Sequence, residues 1–460
     1  MSDVSTKSKS VAAMETEWDL ARDLLGGTPA MRAAGQRHLP QWENETDKAY
    51  RNRLAAAVLF PAYERTVETL AAKPFSKPVT IGKDVPEQIR EWLDNVDLQG
   101  RNIDMFAADC MEAAMGFGIG GILVDCPDTS NLERTADGVV TKATEKAAGL
   151  RPYYVQIHAH QFRGARARCE DGTWKLTQFR FLEVVEEDEG DFNTKEVEQI
   201  RVLEPGKWST WRFDNKKKEW VQYQAGVTTL AKVPFVPFYG KRIAFMVGKP
   251  PLAKVAYLNV QHWQESSDQQ KSVKFARVRM AAITGAEHVK DDEITIGADY
   301  FIKLPTGCDL KVVQGSAESV KVGRDELDAL EEQIRQAGGE LLVIKPGPVT
   351  ATQTNSENAV GMCVLQRITL GLEDALDQAS QIMAEWVNLP TGGHITLFND
   401  FGVASLAEAS MQVVTGMKLS DETKFEEAQR RGIISADRKW KDEKARIDAQ
   451  GKGSSTEPGA

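Results

Sequence analysis

Apolar residues along this chain follow two periods, and the switches between them divide it into parts. Helical spacing begins near Thr46 and runs through KAYRNRLAAAVLFPAYERTVETLAAKPF, where Pro61 marks a kink or a join between two helices. A short helix follows from Val85, with Asp84 placed to cap it and Pro86 in its first turn. A third, from about Arg101, sets Ile103, Phe106, Cys110, Ala114 and Phe117 on one face. It stops at the glycine cluster GFGIGG, and GILVDC then reads as a buried strand. From Leu150 to Gly240 the period falls to two. Tyr154, Gln156 and His158 alternate with Val155, Ile157 and Ala159, placing His158 and His160 on one strand face as packing residues. TWKLTQFRFLEVV, QIRVLEPG, KWSTWRFD and EWVQYQ follow at strand length, with a hairpin turn at Asn215 to Lys218. The acidic run Glu183 to Asp191 is expected to be a solvated loop, and the two prolines of VPFVPFYG bar it from a central strand.

The second half is helical again. A helix from Pro250 is apolar at Leu252, Val255, Leu258, Val260 and Trp263. It then turns polar on every face over Gln264 to Ser272, so it is expected to leave the core. Lys271, Lys274, Arg277 and Arg279 gather at its end and are candidates for contacts to phosphates or to an acidic partner. Short strand-like pieces fill Val278 to Val322. A second helix, Arg324 to Leu342, carries the seam Leu327, Leu330, Ile334, Ala337 and Leu341, suited to lengthwise packing. Next comes PGPVTATQTNS (Pro346 to Ser356), uncharged in a chain that is 27% charged. A long helix is expected over 356–389, with Val360, Val364, Ile368, Leu372, Ala375 and Ala379 on one face and Gly361 and Gly371 inside it as hinge candidates. One strand, HITLFNDF, and three short helices complete the pattern.

Composition narrows the chemistry. A net charge of −10 argues against a broad grip on nucleic acid, because such grip rests on neutralising phosphates. The five cysteines (Cys110, Cys126, Cys169, Cys308, Cys363) are unpaired by spacing, and no signal sequence is evident, which suggests a reducing cytoplasm. No apolar run is long enough for a membrane span. Gly116, Gly118 and Gly121 match G-x-G-x-x-G, but the order is helix, glycines, strand. A dinucleotide site needs the reverse, so that a helix N-terminus meets the pyrophosphate. There is no P-loop, H-E-x-x-H, G-x-S-x-G or C-x-x-C pattern. The expectation is no enzyme, no metal and no cofactor.

The order of parts resembles the portal proteins of tailed bacteriophages, in particular portal-like families first catalogued as phage proteins of unknown function. The residues carrying it include ERTVETLAAKPFSKP, AAMGFGIGGILVD, VPFVPFYG, GKPPLAKVAYLNVQHWQESSDQQ, DALEEQIRQAGGELL, NSENAVGMC and LEDALDQASQIMAEW, spread over about Ala33 to Gln450. The resemblance implies an α+β portal-type protomer. It has a partly disordered N-terminal extension (1–30), an α/β wing (31–249) and stem helices at 250–277 and 323–342. A small β-containing clip lies at 278–322, a tunnel loop at 343–355, a glycine-interrupted tunnel helix at 356–389 and a wing strand at 390–403. A short helical crown (404–450) and a disordered tail (451–460) end the chain. It further implies a homo-oligomeric ring of about twelve copies at one capsid vertex of the virion, assembled in the bacterial cytoplasm. Double-stranded DNA would be packaged and ejected through it. The partners would be the terminase motor, the capsid, scaffold and neck or tail adaptors, with no membrane. Thr350, Thr352, Gln353, Thr354 and Asn355 would face the DNA, and Leu327, Leu330, Ile334 and Leu341 would form the stem seam, buried mainly by neighbouring copies. The alternatives are another phage structural or adaptor protein, or an unrecognised cytoplasmic enzyme.

Overall fold

In the computed structural model the described residues are 3–127, 149–277, 280–284, 309–313, 316–342, 362–401, 420–430 and 438–453. They form a mixed α+β chain that divides into two units, Met1–Asn399 and Asp400–Ala460.

The N-terminal segment is ordered helix, not the partly disordered extension expected over 1–30. Ser8 accepts a hydrogen bond from the Val11 amide and caps α1 (Lys9–Leu25). Val11, Met14, Trp18, Ala21 and Leu24 recur at three- and four-residue spacing and are buried. α2 (Gly27–Ala34), α3 (Asp47–Ala56) and α4 (Ala62–Ala71) follow, with Pro61 at the break between the last two. β1 (Thr80–Ile81) and α5 (Glu87–Leu93) lead to α6 (Ile103–Phe117).

The chain passes from α6 into β2 (Ile119–Asp125) at Gly118. This residue has φ 79° and donates its amide to the Ala114 carbonyl at 3.0 Å, a left-handed helix stop. A Cβ there would also collide with the Lys249 backbone. The cluster is therefore a helix stop and a close-packing point.

β3 (Tyr153–Ile157), β4 (Phe162–Glu170), β5 (Thr173–Glu189), β6 (Asn193–Glu204), β7 (Lys207–Asp214), β8 (Glu219–Val227) and β9 (Phe235–Tyr239) make two antiparallel sheets, ordered β3-β2-β9 and β4-β5-β6-β7-β8. β2 is central and buried on both faces, as its unbroken apolar run requires, and β9 with Pro237 is an edge strand. Two expectations fail here. The acidic run continues as strand through Glu189, with Glu186 opposite Glu196 and Glu187 opposite Lys195, and the turn comes only at Gly190 (φ 80°). Charge alone marked it as loop, but a two-stranded extension with both faces wet tolerates it. His158 and His160 lie on no strand. His158 caps a 3₁₀ turn (Ala159–Gln161) and His160 lies within it, with rings stacked 5.6 Å apart, and burial lowers the pKa of both.

The core fills the space between the two sheets and α1. Phe179 stacks on Phe235 at 3.8 Å and meets Phe162 edge-on at 5.2 Å, with Trp18, Ile119, Leu123 and Leu203 around them. Arg201 ties the sheets together, with two hydrogen bonds to Asp125 at 2.7 and 2.9 Å.

A small hairpin of β10 (Lys241–Ala244) and β11 (Val247–Lys249) precedes α7 (Ala253–Arg277). Then come β12 (Met280–Thr284), β13 (Asp309–Val313), α8 (Ala317–Gly339), α9 (Val364–Trp386) and β14 (Ile395–Thr396), which pairs with β1. α8 begins seven residues before the expected Arg324, because Ser316 caps it by accepting from the Ser319 amide. The expected clip segment is thus helical from Ala317. The strand expected from His394 is only two residues long. In the second unit α10 (Asp421–Arg430) and α11 (Trp440–Gly453) meet through Phe425 and Trp440, ring centroids 5.4 Å apart. α11 reaches Gly453, so the first residues of the expected disordered tail are helical.

Candidate functional site: the helical arm and the buried helix after it

α7 and α8 lie side by side and run antiparallel. Gln269 donates to the Val320 carbonyl at 2.6 Å, and His262 lies 3.6 Å from Glu331, so residue numbers rise along one helix as they fall along the other. β12 and β13 pair antiparallel between their far ends. The result is an arm of two helices carrying a β-ribbon.

The near half of the arm is anchored in the body. Val255, Ala256, Asn259, His262 and Trp263 face inward and are buried. Asn259 is wholly buried. Its side-chain oxygen accepts from the Tyr63 amide at 2.8 Å and its side-chain nitrogen donates to the Phe60 carbonyl at 2.9 Å. α4 follows Pro61, which offers no side-chain cap, so Asn259 supplies that cap from 196 residues away. Tyr63 donates its hydroxyl to the Gly116 carbonyl at 2.6 Å, and burial raises its pKa.

The polar half of α7 does not simply leave the core. It is held by a polar network from 38–53. Gln264 donates to the His38 carbonyl at 2.9 Å, and the Lys271 ammonium meets Glu45 at 2.7 Å while lying 3.6 Å above the Trp42 ring. Arg53 closes the group, with Nη2 2.7 Å from Glu45 and its guanidinium 4.5 Å from the same ring. The Arg53 hydrogen bond, against the opposing cost of burial, and the Lys271 hydrogen bond hold the Glu45 carboxyl at about 2.

The candidate residues therefore separate. Lys271 is engaged within the chain and is not a free phosphate contact. Lys274 and Arg277 are exposed at the far end of α7, near the exposed Phe275, and make no ion pair among the described residues. Arg279 lies outside the described residues. Leu330, Ile334 and Leu341 are buried by this chain itself, at 4%, 3% and 8% exposure, and Leu327 is half-buried. The expectation that neighbouring copies bury this seam is corrected: α8 packs on α7, and Gly338 approaches Thr66 of α4.

α9 begins at Val364, not at 356. Cys363 and Gln366 form a reciprocal cap: the Gln366 amide donates to Cys363 Sγ at 3.4 Å, and the Cys363 amide to Gln366 Oε1 at 2.8 Å. Gly361 lies outside the described residues, as do Thr350, Thr352, Gln353, Thr354 and Asn355. Ile368, Leu372, Ala375 and Ala379 are buried against β2, β9 and α6. Gly371 faces outward, and a Cβ there would meet nothing within 4 Å. The outward carboxylates also serve: Glu373 accepts from the Leu397 amide and Asp377 from the Ile395 amide, both at 2.7 Å. Burial raises the pKa of both. Sequence periodicity missed these contacts, and the Asn259 cap, because it registers only apolar positions.

Among the described residues no group of His, Cys, Asp or Glu is placed to hold a metal, and no helix is long and apolar enough to cross a membrane.

The family model described as "Domain of unknown function (DUF4055)" matches residues 251–387. That span contains both arm helices, the β-ribbon and α9. No curated protein matches the chain. Among solved structures, the chain is similar to one described as "Neck of native GTA particle computed with C12 symmetry", with 14% identity over 79% of this chain and 88% of that one and a TM-score of 0.40. It is similar to another described as "Virion of native gene transfer agent (GTA) particle", with 13% identity, the same coverage and a TM-score of 0.40. A third, "Neck of empty GTA particle computed with C6 symmetry", gives 14% identity over 81% and 90% and a TM-score of 0.43. Likenesses this weak carry no argument about the present chain.

Proposed function

We propose that this chain is a structural protein of a phage-like particle and, within that class, a portal protomer. It would assemble into a ring of about twelve copies through which double-stranded DNA is packaged and ejected. The observation that carries the reading is the arm: two antiparallel helices, anchored in an α+β body at one end and carrying a β-ribbon at the other, followed by a helix buried in that body. This is the order of stem, clip, stem and tunnel helix that the sequence resemblance implies. In this reading 31–249 is the wing, the ribbon region docks the packaging motor and later neck or tail proteins, and 343–355 is the tunnel loop.

A translocating duplex must be confined without being held. A neutral Thr/Gln/Asn loop offers exchangeable hydrogen bonds, where lysines would give a salt-dependent grip multiplied by the ring symmetry. The test replaces Thr352 and Thr354 by lysine, or by alanine, in assembled particles and measures DNA translocation against salt. The double-lysine form is expected to slow translocation at low salt, far more than the alanine form. Indistinguishable curves for all three would remove the loop from the DNA path. A second reading, an adaptor or other connector of the same particle class, shares the body and the ribbon. It predicts no free-standing ring of the purified chain.

A further inference from the structure

The β5–β6 hairpin ends in a tip of unusual composition. Glu186, Glu187, Asp188, Glu189 and Asp191 lie within six residues, and Phe192 beside them is 98% exposed. Glu187 meets Arg212 at 2.6 Å, while Glu189 and Asp191 have no ion pair among the described residues. Isolated carboxylates on a hairpin end are ordinary. A bare phenylalanine among them is not, since it leaves apolar area in water with nothing among the described residues to cover it.

The same sheet carries a complementary surface elsewhere. Where residues 3–9 cross the sheet there is a groove of about 980 Å³, lined across β4 to β8. Five cationic side chains line it, of which Lys7 pairs with Glu15 and Lys207 with Glu204 at 2.9 Å, together with Trp211 and Val227. Arg180 fixes one wall by donating to the Thr6 carbonyl at 3.1 Å and to the Val4 carbonyl at 2.5 Å. Lys9 and Arg166 are exposed and make no ion pair among the described residues, and Val227 is 87% exposed. An acidic tip with one aromatic anchor thus has its counterpart in a cationic groove that also exposes apolar side chains.

The tip cannot reach its own groove. Arg180 in the groove and Gly190 at the tip lie on one hairpin, separated by about 30 Å of extended chain, and a paired strand does not fold back on itself. We propose that the tip, with Phe192 as anchor, docks in the groove of a second copy of this chain. Tip and groove are different surfaces, so the contact is head-to-tail, the kind that closes into a ring or continues as a filament. The proposal names the surface that would join neighbours in the ring reading above and rests on that reading for closure, not for the contact itself.

The experiment places a photo-cross-linking benzoylphenylalanine at Phe192 of the full chain and mixes it with isotope-heavy chain without the substitution. Images of the same sample show whether rings are present. Cross-links from residue 192 to heavy groove peptides containing Arg166, Trp211 or Val227 are the expected result, with or without rings. Their presence without rings would support the docking and overturn the ring reading. Rings with cross-links elsewhere, or with none, would overturn the docking alone, and neither rings nor groove cross-links would overturn both. A charge swap adds a second readout. Glu189→Lys with Asp191→Lys is expected to lower the assembled fraction about tenfold, and adding Lys9→Glu with Arg166→Glu to restore most of it. Loss without restoration, in variants that fold as the wild type does, would count against the pairing.

Discussion

Asn259→Leu removes the α7 side chain that caps the start of α4, and its cost can be worked from the contacts. The Tyr63 amide loses its acceptor at 2.8 Å in a fully buried place. An unsatisfied buried donor costs about 1–3 kcal/mol. The Phe60 carbonyl loses less, because it also accepts from the Ala62 amide at 2.8 Å. About 1 kcal/mol is reasonable for that second bond. Leucine returns about 1–2 kcal/mol through its apolar burial, so the net loss is about 0–3 kcal/mol. For a chain of this size, about 1 °C per kcal/mol, that lowers Tm by up to about 3 °C. Asn259→Ala should fall further, since it adds a cavity to the same lost bonds. Thermal unfolding at matched protein concentration reads the shift, and hydrogen exchange at Tyr63 locates it in the first turn of α4. An Asn259→Leu protein that melts with the wild type and protects Tyr63 equally would refute the cap.

Further outcomes follow from the same geometry. Glu45 is held at about 2 in the folded chain, below its ordinary value, so its contribution is complete above about pH 5 and is lost as pH falls toward 2. Glu45→Gln should flatten the acid limb of a stability–pH profile, and an unchanged limb would dismiss the network as a support of α7. Gly371→Ala should stabilise by up to about 1 kcal/mol, because the position is helical, outward and open; denaturant unfolding checks the sign. Leu330→Asp should destabilise the chain itself, by about 3 kcal/mol or more, since the site is closed by α7 of the same copy. An isolated protomer of normal stability would return the seam to a neighbour's surface.

How much of this was legible in the sequence depended on which force built each part. β2 was read from its unbroken apolar run, β9 as no central strand from its two prolines, and the end of α6 from the glycine cluster, because burial, a missing amide and a left-handed φ each restrict residue type. The first helix was missed although Val11, Met14, Trp18 and Ala21 carry the period, because the serines and lysines of residues 2–10, just before them, dominate the local composition. The polar half of α7 was misplaced for a different reason. Its partners, Trp42, Glu45 and Arg53, lie more than two hundred residues earlier, and a pattern of apolar positions cannot register a carboxylate that holds an ammonium. The acidic hairpin was lost to the same bias, with charge read as loop. Of the candidate site, Leu327, Leu330 and Ile334 share α8, while Leu341 lies in the 3₁₀ turn after it, and Leu330 and Ile334 are buried within this chain. Gly371 sits in a helix as expected, on the face where it is least constrained.

The ring itself is the central claim, and imaging tests it most directly. Purified full-length chain, examined by mass photometry and by negative-stain class averages, should give one assembled species near twelve times the 50.9 kDa protomer, seen end-on as a closed ring with a central hole. A monomer or an open filament at every concentration would contradict the account.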